Sequence, residues 1–196
     1  MLMPSLLLHG CTVGPTDAMS CVHVNAGVSA SFVKTVVTGG AEHGICIADS
    51  CTARFSGQSR THNNTFCGIV LSDKCHLSMS DSASDGHVEG TGVHVAMGSS
   101  MVARRCCFDG NYTGMTLDGH SAPHEVAAAA TSRAALYECE MTGSLLAGVS
   151  ALGGSRLHMD DCTTTGLSKV HLLSSLSLSL PPPPPPPLCS LFALLN

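Results

Sequence analysis

The sequence predicts an all-β solenoid, a chain wound into stacked coils whose equivalent strands lie side by side. Three observations predict it. A phrase of glycine, apolar, any residue, apolar returns about every two dozen residues: Gly44-Ile45-Cys46-Ile47, Gly68-Ile69-Val70-Leu71, Gly92-Val93-His94-Val95, Gly114-Met115-Thr116-Leu117 and Gly148-Val149-Ser150-Ala151. An earlier copy, Cys21-Val22-His23-Val24, has cysteine in the glycine place, and the six starts lie 23, 24, 24, 22 and 34 residues apart. A fixed period of this size means copies of one supersecondary unit, each burying its apolar face on its neighbours. A second phrase of period two keeps step with the first. No helical stretch is long enough to bridge ordinary parallel strands.

The second phrase is a small residue, two apolar residues alternating with exposed ones, then often a cysteine. It reads Ser155-Arg156-Leu157-His158-Met159 ending at Cys162, and Ser132-Arg133-Ala134-Ala135-Leu136 ending at Cys139. Cys75-His76-Leu77-Ser78-Met79, Cys51-Thr52-Ala53-Arg54-Phe55 and Pro4-Ser5-Leu6-Leu7-Leu8 (ending at Cys11) fit the same frame; Ser99 to Cys106 fits within one residue. Each repeat therefore holds two strands of alternating pattern, separated by turns rich in Gly, Ser, Asp and Asn. Coiling aligns like with like. Val22, Ile45, Ile69, Val93, Met115 and Val149 are expected to form one inward ladder, with Val24, Ile47, Leu71, Val95, Leu117 and Ala151 beside it. A third ladder would contain Leu6, Ala53, Leu77, Ala134 and Leu157. The glycines stand where the chain bends into a strand, a place that tolerates little bulk or needs positive φ.

These repeats resemble the parallel β-helix repeat of the right-handed β-helix (pectin lyase-like) superfamily, over roughly residues 4 to 166. The resemblance implies a right-handed parallel β-helix of about six to seven coils. It rests on the repeat pattern and brings no family-specific catalytic signature. The domain is placed at residues 1–168, and residues 169–196 are read as a low-complexity tail expected to be disordered.

The interval from Gly114 to Gly148 carries about ten extra residues, assigned to the stretch from His120 through His124, Glu125 and Val126 to the four alanines that follow. Such insertions in repeat folds map to loops on one face. At the C-terminus the pattern changes. No charged residue follows Lys169, and the segment passes from alternating Ser and Leu into seven prolines, Pro181 to Pro187. Polyproline forms an extended rod and cannot join a sheet. It reads either as a ligand for an SH3-, WW- or profilin-like partner or as the product of a translated pyrimidine-rich repeat. Its apolar flanks are too short to span a bilayer.

Composition narrows the function. Apolar residues make up 44% and charged residues 12%, with a formal net charge of −5. A broad basic surface for nucleic acid is not expected, and neither is a membrane span. Met1 to Leu8 lacks a positive n-region, and Leu8-His9-Gly10-Cys11, close to a lipoprotein cleavage site, also keeps register with the second phrase. Eleven cysteines occur without any C-x-x-C, and Cys11, Cys106 (or Cys107), Cys139 and Cys162 recur at one repeat position. That is a ladder of small buried side chains, and the odd count fits a reducing, cytoplasmic setting.

Candidate sites are few. His23 and His94 stand two coils apart, too far for shared metal ligation, and His120, His124 and Glu125 form a loose loop cluster. Asp49 and Asp73 both stand five residues after their glycine and would stack at one turn, a weak calcium candidate that stops at Met97. Asp160-Asp161 is the carboxylate doublet, a weak candidate for catalytic work. Asp85-Gly86-His87 and Asp118-Gly119-His120 look alike, but Asp-Gly is ordinary turn chemistry. The stronger feature is a stripe. Outward positions of the second strand include Arg54, His76, Arg104, Arg133, Arg156 and His158, gathering four of the nine formal cations on one face of an acidic chain.

Two functions are weighed. The favoured one is a non-catalytic scaffold that binds a protein or acidic glycan along its exposed sheets, without a cofactor. The alternative is a divergent or truncated carbohydrate-active enzyme, a lyase or glycoside hydrolase of the pectin lyase-like kind. Members resembling this fold use paired aspartates, or calcium-binding carboxylates with an Arg or Lys base. The absence of Trp, with aromatics at 4%, favours the scaffold. Open coil ends expose unpaired strand edges, so end-to-end self-association is a further expectation.

Overall fold

A computed structural model describes residues 4–119, 131–164 and 170–172; the alanine-rich insertion and the proline-rich segment lie outside the described residues. Every described element is a β-strand, and the strands form three parallel sheets along one axis. The first sheet stacks seven rungs: β1 (Ser5–His9), β4 (Ser29–Val33), β7 (Thr52–Ser56), β10 (His76–Ser80), β13 (Ser100–Arg104), β15 (Arg133–Tyr137) and β18 (Arg156–Asp160). The third also stacks seven: β3 (Ser20–Val24), β6 (His43–Ile47), β9 (Cys67–Leu71), β12 (Thr91–Val95), β14 (Thr113–Asp118), β17 (Ala147–Leu152) and β20 (Val170–Leu172). Between them in every coil lies a second, narrow sheet.

That narrow sheet corrects the expectation of two strands per repeat. It comprises β2 (Thr12–Val13), β5 (Val36–Thr38), β8 (Arg60–His62), β11 (Ala83–Asp85), β16 (Glu140–Met141) and β19 (Thr163–Thr164), with single bridges through Cys107 joining its two parts. Strands of two or three residues carry at most one inward side chain, which is too little to show a period. Their inward residues are Val37, Thr61, Ser84, Phe108 and Met141, all completely buried.

The expected ladders form in the expected register. Val22, Ile45, Ile69, Val93, Met115 and Val149 pair rung to rung, as do Val24, Ile47, Leu71, Val95, Leu117 and Ala151. The ladder from Leu6 to Leu157 runs through Ala30, Ala53, Leu77, Met101 and Ala134, gaining Ala30 and Met101 over the sequence reading. Beside it Phe32 and Phe55 stack with ring centroids 5.5 Å apart. Full burial of one such aliphatic side chain stabilises by about 1.5–3 kcal/mol, so the ladders are the main cohesive force.

The phrase glycines have a single physical cause. A Cβ on Gly44, Gly68, Gly92 or Gly114 would lie 2.7, 2.6, 2.5 or 2.4 Å from the carbonyl oxygen of the equivalent glycine in the next coil. The backbone of one rung occupies the space a side chain would need. None of the four has positive φ, so the alternative explanation offered by the sequence falls away.

Positive φ belongs instead to the corners. Between the first and second sheets a residue with left-handed backbone turns the chain: Lys34, Asp81, Arg105, Glu138 and Asp161 all have φ near 50°. Between the third and first sheets two such residues follow one another, as in Asp49-Ser50 and Asp73-Lys74. Their amides donate to the next coil, Ser50 N–H to Asp73 O and Lys74 N–H to Met97 O, which keeps the corners in step.

The corner between the second and third sheets holds a buried polar ladder. Gly40, Asn64, His87, Asn111 and Ser144 occupy successive rungs, and Asn64, His87, Asn111 and Ser144 are at most 2% exposed. Gly40 N–H donates to Asn64 Oδ1 at 2.9 Å, Asn64 N–H to His87 Nδ1 at 3.2 Å and His87 N–H to Asn111 Oδ1 at 3.1 Å. Buried amides that sheet pairing leaves over are thereby satisfied by the rung above.

The cysteine ladder is also present, and Cys106 rather than Cys107 belongs to it. Successive backbone bonds link the rungs Cys11, Thr35, Ser59, Ser82, Cys106, Cys139 and Cys162. Cys106 and Cys139 are buried, whereas Cys11 and Cys162 are half-buried. All the described cysteines are free thiols.

Candidate functional site

The first sheet presents a flat outer face on which the expected cations all project outward and are exposed. They do not form one file. His76, Arg133 and Arg156 share the first outward column, in which Ser100 separates His76 from Arg133. Arg54 and His158 belong to the middle column, with Ser78, Val102 and Ala135 between them. Arg104 stands in the last column, one rung below Tyr137.

The dense end of the face is built by three consecutive strands, β13, β15 and β18. Arg133 and Arg156 lie directly opposite each other on neighbouring rungs. The Arg104 guanidinium carbon sits 4.2 Å from the centre of the Tyr137 ring, and the Tyr137 and His158 rings are 5.6 Å apart. Arg104 is thus held over an aromatic face by cation–π attraction. Short side chains, Val102 and Ala135, occupy the middle column between the two arginine-bearing columns and leave a low strip there. Elsewhere on the face His76 Nδ1 lies 2.9 Å from Ser100 Oγ.

Among the described residues charge is uncompensated across this face. Among the described residues no carboxylate lies in ion-pair contact with Arg54, Arg133 or Arg156. The outward strand positions include one acid, Asp160, opposite Tyr137. The other arginines are engaged elsewhere. Arg105, at the corner, makes bonds of 2.7 and 3.1 Å to Asp81, and Arg60, on the second sheet, makes bonds of 2.7 and 2.6 Å to Asp85. The hydrogen bonds from Arg105 hold the Asp81 carboxyl below its ordinary range. Neither pair adds free charge to the first sheet.

Tyr137 was missed in the sequence. Its signal was its place in the second phrase, two residues past the outward Ala135, which makes it outward as well. The weaker candidates fall as follows. Asp49 and Asp73 sit at the same corner position with φ of 58° and 56°, both exposed, and Met97 continues the column. No group of three or more His, Cys, Asp or Glu among the described residues is placed to hold a metal ion. Asp160 ends β18 and Asp161 is the left-handed corner residue after it, so the doublet straddles a bend with both residues exposed. His120, His124 and Glu125 lie outside the described residues.

On the third sheet His94 is outward, between Val70 and Thr116, and burial pushes its pKa down. Burial also raises the Cys75 thiol to about 11, and the hydrogen bond that Cys139 donates to Cys106 raises Cys139 to about 11 and lowers Cys106. Cys75 and Cys139 are therefore poor sources of thiolate.

Three parallel sheets wound around an apolar ladder core define the protein as a parallel β-helix. A family model for a right-handed β-helix region matches residues 20–166, and the chain belongs to that family. Among solved structures, the crystal structure of pectate lyase Pel9A matches with a TM-score of 0.45 and 11% identity, covering 91% of this chain and 70% of that chain. No curated protein matches the chain.

Proposed function

We propose that the chain is a non-catalytic docking scaffold whose first sheet binds an acidic segment of a protein partner. The observation that supports this is the trio Arg54, Arg133 and Arg156, without an ion-pair partner among the described residues, on a face with one strand carboxylate, in a chain of net charge −5. A flat parallel sheet offers rungs about 4.8 Å apart, and a row of guanidinium groups at that spacing suits the carboxylates of an extended peptide. The aromatic content of the face favours a peptide over a sugar. Tyr137 is its aromatic on the dense end and is already covered by Arg104 and His158, leaving little platform for a pyranose ring. The enzyme alternative has less support, because Asp160 and Asp161 are exposed across a bend and do not converge in a cleft.

Anisotropy titration of a labelled oligoglutamate peptide tests the proposal. The parent chain binds with an affinity that falls as salt rises, and the double change Arg133→Glu, Arg156→Glu weakens binding by about tenfold or more, since each lost charged contact is worth on the order of 1.5 kcal/mol. Unchanged binding in that variant refutes the docking face. Release of unsaturated or reducing-end product from polygalacturonate would instead favour the enzyme.

A further inference from the structure

The arginines of the first sheet are unevenly spread, and their crowding points to a particular anion. Arg54 on β7 stands four rungs from Arg156 on β18. Arg133 and Arg156 instead face each other on adjacent rungs, with backbones about 4.8 Å apart. Like charges set directly opposite in a sheet are destabilising. Among the registers of the described strands this is the one such pair of formal charges. Among the described residues no carboxylate pairs with either side chain, whereas Arg104 rests on the Tyr137 ring. The scaffold alone gains nothing from two bare guanidinium groups side by side.

The residues around the pair form a seat. Ala135 lies two places past Arg133 on the same strand, directly opposite His158 and diagonal to Arg156. Its methyl group leaves a hollow, continued on the rung below by Val102. Arg133 and Arg156 bound that hollow along one side, and His158 closes it on the next rung. Tyr137 bounds the other side, its ring 5.6 Å from that of His158. Ser100, below Arg133, adds a hydroxyl at the rim, 2.9 Å from His76 Nδ1. Arg133, Arg156 and His158 are all exposed, so three nitrogen-bearing heads stand around one small floor. The strand carboxylate Asp160 lies in the last column, about 13 Å along the strand from Arg156.

We propose that this hollow is a phosphoryl site, taking the phosphorylated serine or threonine of an acidic partner segment. A carboxylate carries one charge and is satisfied by one guanidinium group. A phosphorylated side chain carries nearly two charges at pH 7 and offers three strong acceptor oxygens. Guanidinium forks bond such oxygens in pairs, and two forks on adjacent rungs match a dianion between them. The bound dianion also offsets the repulsion that the free sheet bears. The short Ala135 side chain gives the group room to settle between the arginines and His158. This assignment rests on the acidic-partner reading and names the group that such a segment presents at the dense end of the face.

Anisotropy titration of the full-length chain at pH 7.5 tests it with two labelled pentapeptides. Each has two aspartates on either side of a central residue, phosphoserine in one and glutamate in the other. The phosphopeptide is expected to bind about tenfold tighter or more, through its additional charge-assisted contacts. Ala135→Asp sets a carboxylate on the floor of the hollow, and Arg133→Gln removes one fork. Both positions face outward, and circular dichroism checks that each variant folds. In each variant the preference for phosphoserine over glutamate is expected to fall below about threefold. Equal binding of the two peptides by the parent, or a preference undiminished in both variants, overturns the phosphoryl site and leaves the acidic-partner reading standing. Failure of both peptides to bind overturns that reading and this one together. Inorganic phosphate is the other source of the same chemistry. If it displaces the phosphopeptide at a concentration comparable with the peptide's own, the site takes the free anion and the assignment to a partner segment is overturned.

Discussion

His87 makes the stability of this solenoid depend on acid, and the sign and size of the effect follow from its surroundings. Its ring is fully buried in the polar ladder. The Asn64 N–H points at Nδ1 from 3.2 Å, so Nδ1 must hold a lone pair and the proton resides on Nε2. Nε2 lies 3.3 Å from Ser84 Oγ, which itself donates to Gly92 O at 2.6 Å. A second ring proton would face the Asn64 amide in a dry interior. Burial accordingly pushes the pKa down to about 4, against opposing contributions from Asn64 and Asp85. An ordinary histidine titrates near 6.5, so between pH 6.5 and 4 the unfolded chain binds the proton and the folded chain does not. Stability is then fully present above pH 6.5 and is lost as pH falls toward 4. Linkage across that gap gives about 3 kcal/mol in all, and roughly 2.5 kcal/mol between pH 7 and pH 4.5. Asparagine fills the equivalent place at Asn64 and Asn111, so His87→Asn keeps an acceptor for the Asn64 amide while removing the titration. Urea denaturation of parent and variant at pH 7 and pH 4.5 measures the difference. The variant is expected to lose roughly 2.5 kcal/mol less than the parent on acidification. His43 and His94, whose pKa values are also lowered by burial, contribute equally to both proteins and cancel. Equal losses in the two proteins would refute the assignment of acid sensitivity to His87.

Other outcomes follow from the same geometry. Gly92→Ala sets a methyl group 2.5 Å from Gly114 O and 2.8 Å from Asn111 Nδ2, and should destabilise by about 3 kcal/mol or more in chemical denaturation. Phe55→Ala empties the centre of the first sheet beside Phe32 and should cost about 3–5 kcal/mol, seen as a lower urea midpoint. Native-state alkylation with mass-spectrometric mapping should modify half-buried Cys46 and Cys107 well before Cys51, Cys75, Cys106 and Cys139, which are at most 2% exposed. Simultaneous modification of all six would mean that the coil opens as a unit on the labelling timescale.

The ladders of the first and third sheets were legible because five-residue strands show two inward residues each, and the same two recur in every coil. Ile45, Ile69 and Val93 could be aligned from the phrase alone. The second sheet was not legible, since Val37, Thr61 and Ser84 are single inward residues of differing chemistry. The polar ladder was hidden by uneven spacing. Asn64, His87, Asn111 and Ser144 precede their glycines by four, five, three and four residues, so no fixed motif spans them. His87 was hidden twice, because Asp85-Gly86 reads as a turn on its own. Gly86 does take the left-handed corner position, but the residue after it is the buried one. Asp118-Gly119 resembles that pair in sequence yet stands at the corner between the third and first sheets. Of the arginine face, the outward direction of each cation was legible from period two. Its division into columns was not, because that depends on which outward place each rung fills.

The ten-residue insertion falls between β14 and β15, yet both strands keep their partners on either side in register. Corner length is therefore uncoupled from winding, and a longer corner costs little because closure entropy grows only logarithmically, about 0.6 kcal/mol per doubling. A scaffold of this kind can vary what it displays at any corner while its interior stays constant, so changes in recognition and changes in folding are separately heritable.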